Sequence, residues 1–156
     1  MMDKVLVMTW DEKYLDLAEH IASWSKDPSS KIGAVAVGED GQILSQGYNG
    51  LPRGVEDTLH RLHDKKIKYD YMVHAEKNCI YNATLNGVSL KDATMYVYGL
   101  PVCHECAKAI IQVGIKTVVF RSKIDDNKPI NIKWARAWEL TKQLFTEAGV
   151  AFYEHD

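Results

Sequence analysis

Three stop signals in the second half of the chain limit what it can fold into. Asn86-Gly87, Gly114 and Gly149 each follow a run with helical spacing, and each offers the left-handed terminator that closes a helix. The spacing predicts helices from near His74 to Asn86, from Cys103 to Val113 and from Ile132 to Ala148. Between and after them lie the strand-like runs Ala93 to Tyr98, Thr117 to Phe120 and Val150 to Tyr153. Strands joined through helices run parallel by right-handed crossovers.

The first half reads differently. Thr9-Trp10-Asp11-Glu12 is a capping-box sequence, and Tyr14, Leu17, Ala18 and Ile21 follow at helical spacing, which predicts a helix over 10–25. Asp27-Pro28-Ser29-Ser30 breaks it. Gly33 to Val37 and Gln42 to Tyr48 are short strand patterns joined by Glu39-Asp40-Gly41, a hairpin signal. Residues 51–70 are polar, with Pro52 and Gly54, and read as loop with some helix. The order is α-β-β-α-β-α-β-α-β. A mixed five-stranded sheet covered by helices on both faces satisfies it, an α/β fold of the three-layer α/β/α sandwich type.

At 156 residues, with no internal repeat and no linker-like shift in composition, the chain reads as one domain over 1–156. Nineteen Lys and Arg against 21 Asp and Glu leave a net charge of −2, so nothing steers it broadly onto nucleic acid. The opening MMDKVLVMTWDEKYLD is not a signal peptide, and no apolar run approaches the ~20 residues that span a bilayer. Of three cysteines, Cys103 and Cys106 lie three apart, which favours metal or redox chemistry over a disulfide framework. The expected location is the cytoplasm, with no membrane and no nucleic acid as partner.

The residues that carry chemistry are His74-Ala75-Glu76 and Pro101-Val102-Cys103-His104-Glu105-Cys106. His74, Cys103 and Cys106 fall at predicted helix starts, whose partial positive charge favours thiolates. One imidazole and two thiolates suit zinc and leave a fourth position for water. Glu76, two residues past His74, is poorly spaced as a ligand but well placed to hydrogen-bond that water and move its proton. Two alternatives remain: a redox pair, or a closed structural site in which Cys79 or His104 supplies a fourth ligand. Cys79 falls on a pattern with Ile80 and Ala83 that reads as core.

His-x-Glu followed by Cys-x-x-Cys resembles the signature of the zinc-dependent cytidine and deoxycytidylate deaminase superfamily. The likeness extends through Lys26-Asp27-Pro28-Ser29-Ser30-Lys31-Ile32-Gly33-Ala34, Gly47-Tyr48-Asn49-Gly50-Leu51-Pro52-Arg53-Gly54, His74-Ala75-Glu76-Lys77-Asn78 and Cys106-Ala107-Lys108-Ala109-Ile110-Ile111. It covers residues 10–153. Two positions depart from the family pattern: Val102 separates Pro101 from Cys103, and Lys77 stands where an apolar residue is usual. The resemblance implies hydrolytic deamination of dCMP to dUMP with release of ammonia, supplying dUMP for thymidylate synthesis. Zinc-bound hydroxide would attack the amino-bearing ring carbon while Glu76 shuttles protons, with no organic cofactor.

By the same resemblance Asn49 is expected at the nucleotide sugar, although Asn between Tyr and Gly is also a plain turn residue. Ala75 is counted with the substrate contacts. The Lys26 to Lys31 loop is polar and doubly cationic, which suits a 5′-phosphate; Lys31 and Ser30 are preferred to Lys26, and Arg121 is a further candidate. His60 and His63 lie three apart but without nearby cysteines to make a second metal site. Trp134 and Trp138 read as core or subunit interface, and His20 as surface. The segment holding Gly47, Tyr48, Gly50 and Arg53 marks, in relatives, enzymes switched on by dCTP and off by dTTP, usually hexamers with Mg²⁺ on the triphosphate. A deaminase of bases within RNA or DNA and a non-enzymatic zinc module are the competing readings. The first would want a basic groove, and the second has no use for Glu76.

Overall fold

The hydroxyl of Thr9 accepts a hydrogen bond from Glu12 N, and the Glu12 carboxylate accepts one from Thr9 N, so the capping box forms and starts α1 (Trp10–Ala22). The computed structural model describes residues 7–123 and 132–156; part of the opening segment read above lies outside them. After α1 come β1 (Gly33–Val37), β2 (Ile43–Tyr48), α2 (Leu59–His63), α3 (Lys65–Tyr71), α4 (Ala75–Leu85), β3 (Thr94–Gly99), α5 (His104–Gln112), β4 (Thr117–Ser122), α6 (Ile132–Ala148) and β5 (Ala151–Glu154). The polar stretch 51–70 thus holds two short helices, each capped by a side chain: Thr58 for α2 and Asp64 for α3.

The sheet has the order β2-β1-β3-β4-β5. β1 pairs antiparallel with both β2 and β3, while β3, β4 and β5 run parallel. The hairpin turns at Gly41, which holds φ 82°, a left-handed value that costs a glycine nothing.

Alternation along the strands sorts the core into two layers. Val35, Val37, Tyr96 and Val119 face α1 and its Tyr14, Leu15, Ala18 and Ile21. Ala34, Ala36, Met95, Val97, Val118 and Phe120 face the opposite side with residues of α4, α5 and α6. This is the three-layer α/β/α sandwich. Each large apolar side chain sealed in these layers stabilises the fold by roughly 1.5–3 kcal/mol. Tyr96 and Tyr153 both donate to the Asp11 carboxylate at 2.7 Å, tying β3 and β5 to the start of α1.

The small residues of β1 and β2 let helices come close. A Cβ on Gly47 would stand 2.4 Å from Cys79 N and 2.7 Å from Ala75 O, so only glycine lets the first turns of α4 lie on β2. The open side of β2 is covered by α4: Asn78 donates to Tyr48 O at 2.8 Å and Asn82 to Gln46 O at 2.7 Å. Among the described residues no helix is long and apolar enough to cross a membrane.

Candidate active site

Two helix starts converge at one end of the sheet. Gly50 and Val73 exchange backbone hydrogen bonds of 3.1 and 2.8 Å, and this bridge delivers the chain to His74, the N-cap of α4. The His74 side chain makes no cap hydrogen bond, which leaves its ring free to turn toward α5. Cys103 is the N-cap of α5, and its sulfur accepts from Cys106 N at 3.5 Å. His74 Nδ1 then lies 3.4 Å from Cys103 Sγ and 3.3 Å from Cys106 Sγ.

Among the described residues these three side chains form the one group able to hold a metal, with ligand atoms within 4.8 Å of one another. A tetrahedral zinc with ordinary bond lengths separates a nitrogen from a sulfur ligand by about 3.6 Å, so the set fits zinc closely. Neither Cys79 nor His104 joins it, which leaves a fourth position open. Cys79 is fully buried in the core, and burial pushes its thiol up to about 12. The extra residue Val102 is absorbed without displacing the sulfurs: its side chain is buried, and its carbonyl accepts a 2.9 Å hydrogen bond from the buried Thr141 hydroxyl of α6.

Burial and hydrogen bonding shift the titrating groups at these helix starts. Hydrogen bonding from Cys106 holds Cys103 toward the thiolate against the cost of burial, with His74 assisting. The same hydrogen bond, with burial, pushes Cys106 up. Glu76 is 4% exposed, and burial raises its carboxyl above the ordinary range although His74 opposes the shift. A buried carboxyl two residues from His74 is of the residue type used in general acid–base work.

His74, Ala75 and Glu76 line a cleft of about 370 Å³, within the ~300–1,000 Å³ typical of small-ligand sites. Asn49 lines it too, 5% exposed; its Oδ1 accepts from Ile32 N at 2.9 Å and its Nδ2 donates to Ser30 O at 2.8 Å. Asn49 therefore fixes the 26–31 loop as well as facing the cleft. Ser30 also lines the cleft, but Lys26 and Lys31 do not. Lys26 pairs with Asp57 at 2.7 Å, 68% exposed, and Lys31 Nζ donates to Ser25 O at 2.8 Å. Among the described residues the lysines lining the cleft are Lys65 and Lys68 of α3, which the sequence reading did not single out.

Other expected residues lie elsewhere. Arg121 pairs with Asp16 at 3.0 Å and Glu19 at 3.9 Å on the α1 side. His60 and His63 are exposed on α2 and enter no metal-holding group among the described residues. Trp138 meets the rings of Phe120 and Phe152 edge-on in the core, and His20 meets Trp24. Trp134, one turn earlier on α6, borders the cleft with Leu100, Pro101 and Met72. Of the tentative effector segment, Gly47 and Gly50 brace the start of α4, Tyr48 meets Trp24 edge-on, and Arg53 donates to Asn82.

Comparison with known proteins agrees with this geometry. Residues 8–122 match the family described as the cytidine and deoxycytidylate deaminase zinc-binding region. Deoxycytidylate deaminase from Mus musculus is 40% identical over 151 residues, covering 93% of this chain and 79% of the mouse protein. An uncharacterized deaminase from Aliivibrio fischeri is 34% identical over 145 residues, covering 93% of this chain and 92% of its own. The dCMP deaminase of cyanophage S-TIM5 shares the fold, with a TM-score of 0.71 at 23% identity over 93% of this chain and 96% of that one. With a group able to hold a metal gathered at two helix starts and its sequence matched over most of its length, this chain belongs to the cytidine and deoxycytidylate deaminase zinc-binding family.

Proposed function

We propose that the protein converts dCMP and water to dUMP and ammonia. The observation that carries this reading is the cleft itself: His74, which meets Cys103 and Cys106 in the metal-holding group, lines it together with buried Glu76 and the cations Lys65 and Lys68. The 40% identity to deoxycytidylate deaminases supports the same substrate. His74, Cys103 and Cys106 would hold zinc, which would supply Lewis acidity for the attack of water. Glu76 takes the proton of the attacking water and delivers it to ring N3 as the C4–O bond forms. It then carries the second proton to the amino group, and the C4–N bond breaks to release ammonia. Asn49 holds the loop beside the sugar, Ala75 lies under the ring, and Pro101, Leu100 and Trp134 shield the base from water.

Ammonia release from dCMP, cytidine and a deoxyoligonucleotide, measured side by side, tests the reading. Release from dCMP above all is expected; preference for the oligonucleotide would reject it.

Regulation belongs to the same proposal. dCTP, with Mg²⁺ on its phosphates, activates and dTTP inhibits, acting on the segment holding Gly47, Tyr48, Gly50 and Arg53. Support comes from two features: Asn49 lies inside this segment and faces the cleft, and Arg53 borders a second groove of about 450 Å³ with Gln46, Asn82 and Asn86. One element serving two ligands is what coupling requires. The exposed Ile43, Tyr81 and Leu85 support a homo-oligomer, with a hexamer expected, and three free cysteines support a cytoplasmic protein. Sigmoidal dCMP kinetics that turn hyperbolic with dCTP are expected. Hyperbolic kinetics indifferent to both triphosphates, from a monomer by light scattering, would reject the regulatory part.

A further inference from the structure

His74 is the N-cap of α4, yet its side chain makes no cap hydrogen bond, and its ring meets Cys103 and Cys106 instead. Other groups must therefore fix the angle at which the chain enters the helix. In many helices an apolar contact does this, between the residue before the N-cap and the fourth helical residue. Those positions here are Val73 and Asn78, and a polar contact takes the place of the apolar one. The Asn78 amide nitrogen carries two N–H donors. It donates to Tyr48 O at 2.8 Å and to Val73 O at 3.4 Å. These are the carbonyls just before Asn49 and just before His74. Val73 O also accepts from Gly50 N at 3.1 Å, and Gly50 O from Val73 N at 2.8 Å, so the amide closes a frame around the crossing of the two segments. Asn49 itself is anchored elsewhere. Its side chain bonds Ile32 N and Ser30 O, its N–H donates to Ile32 O at 3.3 Å, and its carbonyl accepts from Ser25 Oγ at 2.8 Å.

We propose that Asn78 is a positioning residue: its one amide sets where His74 and Glu76 stand relative to Asn49. This rests on the dCMP reading above, which puts the sugar beside Asn49 and the ring beside His74 and Glu76. Asn78 does not line the cleft, so it acts through the two peptides it holds. Without it, Asn49 and the 26–31 loop keep their own anchors, and the substrate keeps its grip at that end. The start of α4 loses its alignment instead. A misplacement of ~1 Å at the reacting atoms can slow a reaction by about 10²-fold. The loss therefore falls on kcat and spares KM, the pattern of a contact that matters only in the transition state.

The test measures kcat per bound zinc and KM for dCMP in the wild type, Asn78→Ala, Asn78→Asp and Ser45→Ala, with hydrogen exchange at the Gly50 and Val73 amides of each zinc-loaded protein. Asn78→Asp keeps the shape and replaces both donors with an acceptor. Ser45 is the control for simple anchoring: its hydroxyl, on a side chain 7% exposed, joins the same strand to the same helix by donating to Cys79 O at 2.7 Å, away from both peptides of the frame. In Asn78→Ala kcat is expected to fall about 10–100-fold with KM within about twofold, and in Asn78→Asp at least as far. The Gly50 and Val73 amides should exchange roughly fivefold faster or more in both variants. Ser45→Ala should melt earlier but keep the wild-type kcat and exchange rates. A wild-type kcat in either Asn78 variant, a loss that appears in KM alone, or an equal loss of kcat in Ser45→Ala overturns the positioning role and leaves the deaminase reading standing. A wild type that releases no ammonia from dCMP overturns the reading instead; unchanged exchange at Gly50 and Val73 then overturns the frame as well.

Discussion

Lys68 Nζ stands 3.1 Å from Asp27 Oδ1, with the two side chains 8% and 5% exposed, so the loop before β1 and the helix before the metal site are joined by a buried ion pair. Removing one partner strands the other charge. Lys68→Met is expected to cost about 3–5 kcal/mol, and Lys68→Met combined with Asp27→Asn appreciably less. Denaturant titration of the single and double variants measures this; equal losses in both would show that the pair is not what holds the loop.

The same pair sets an acid response. Burial works to raise the Asp27 carboxyl, but hydrogen bonds from Ser29, Lys68 and Ser30 together hold it below its ordinary 3.8. A carboxylate with a depressed folded value contributes stability that is present above 3.8 and lost as pH falls through the lower folded value. Acid unfolding of the wild type should therefore be steeper below pH 3.8 than that of Asp27→Asn. Parallel acid curves for the two proteins would remove Asp27 from the account.

Glu76→Gln separates proton transfer from metal holding. Glu76 lies outside the three-ligand group, so the variant should bind zinc as the wild type does. Its turnover of dCMP should fall by about 10²–10⁴ or more, the range general acid–base catalysis supplies. Metal analysis and single-turnover rates decide it. Zinc lost together with activity would make Glu76 a ligand instead.

The alternation of strand and helix was legible because its signals are local: glycine stops, the Thr9–Glu12 box and period-two runs. Convergence of His74 with Cys103 and Cys106 was legible because both helix starts follow from chain order and the Cys-x-x-Cys spacing. The cationic side of the cleft, Lys65 and Lys68, was not. α2 and α3 have five and seven residues, too few for periodicity to emerge from a polar stretch. The burial of Lys68 depends on Asp27, 41 positions away, and no local pattern carries that. Lys26 and Lys31 flank the 27–30 turn and direct their ammonium groups toward Asp57 and the Ser25 carbonyl. A pair of lysines three apart just before His74 was the one signal available, and on a short exposed helix it reads equally well as a solvated face.

Gly47 tests how closely β2 must approach α4. An added methyl group would meet backbone atoms of Ala75 and Cys79 at 2.4 to 2.7 Å, and backbone yields less readily than a side-chain tip. Gly47→Ala should cost about 1–3 kcal/mol as overpacking. It should also weaken zinc retention, because Ala75 sits between His74 and Glu76. Loss of stability with unchanged zinc affinity would show that α4 moves as a rigid unit, carrying its ligand with it.

The last prediction concerns the extra residue between Pro101 and Cys103. Val102 puts its side chain into the core at 1% exposure, and its carbonyl accepts from Thr141 Oγ1 at 2.9 Å, with Thr141 itself fully buried. The insertion is thus anchored at two points, one apolar and one polar, just before the first thiolate. Thr141→Val keeps the shape but removes the donor, leaving a buried carbonyl unpaired at a cost of about 1–3 kcal/mol. That loosening falls on the residue beside Cys103, so zinc should leave the variant faster under a chelator than it leaves the wild type. Thr141→Ser keeps the hydroxyl and should restore slow zinc release even where the lost methyl lowers stability. Chelator-driven release followed with a metal-sensitive dye reads the two effects separately from thermal melting. If Thr141→Val and Thr141→Ser release zinc at the same rate, the hydrogen bond does not position Cys103, and packing of Val102 alone holds the loop.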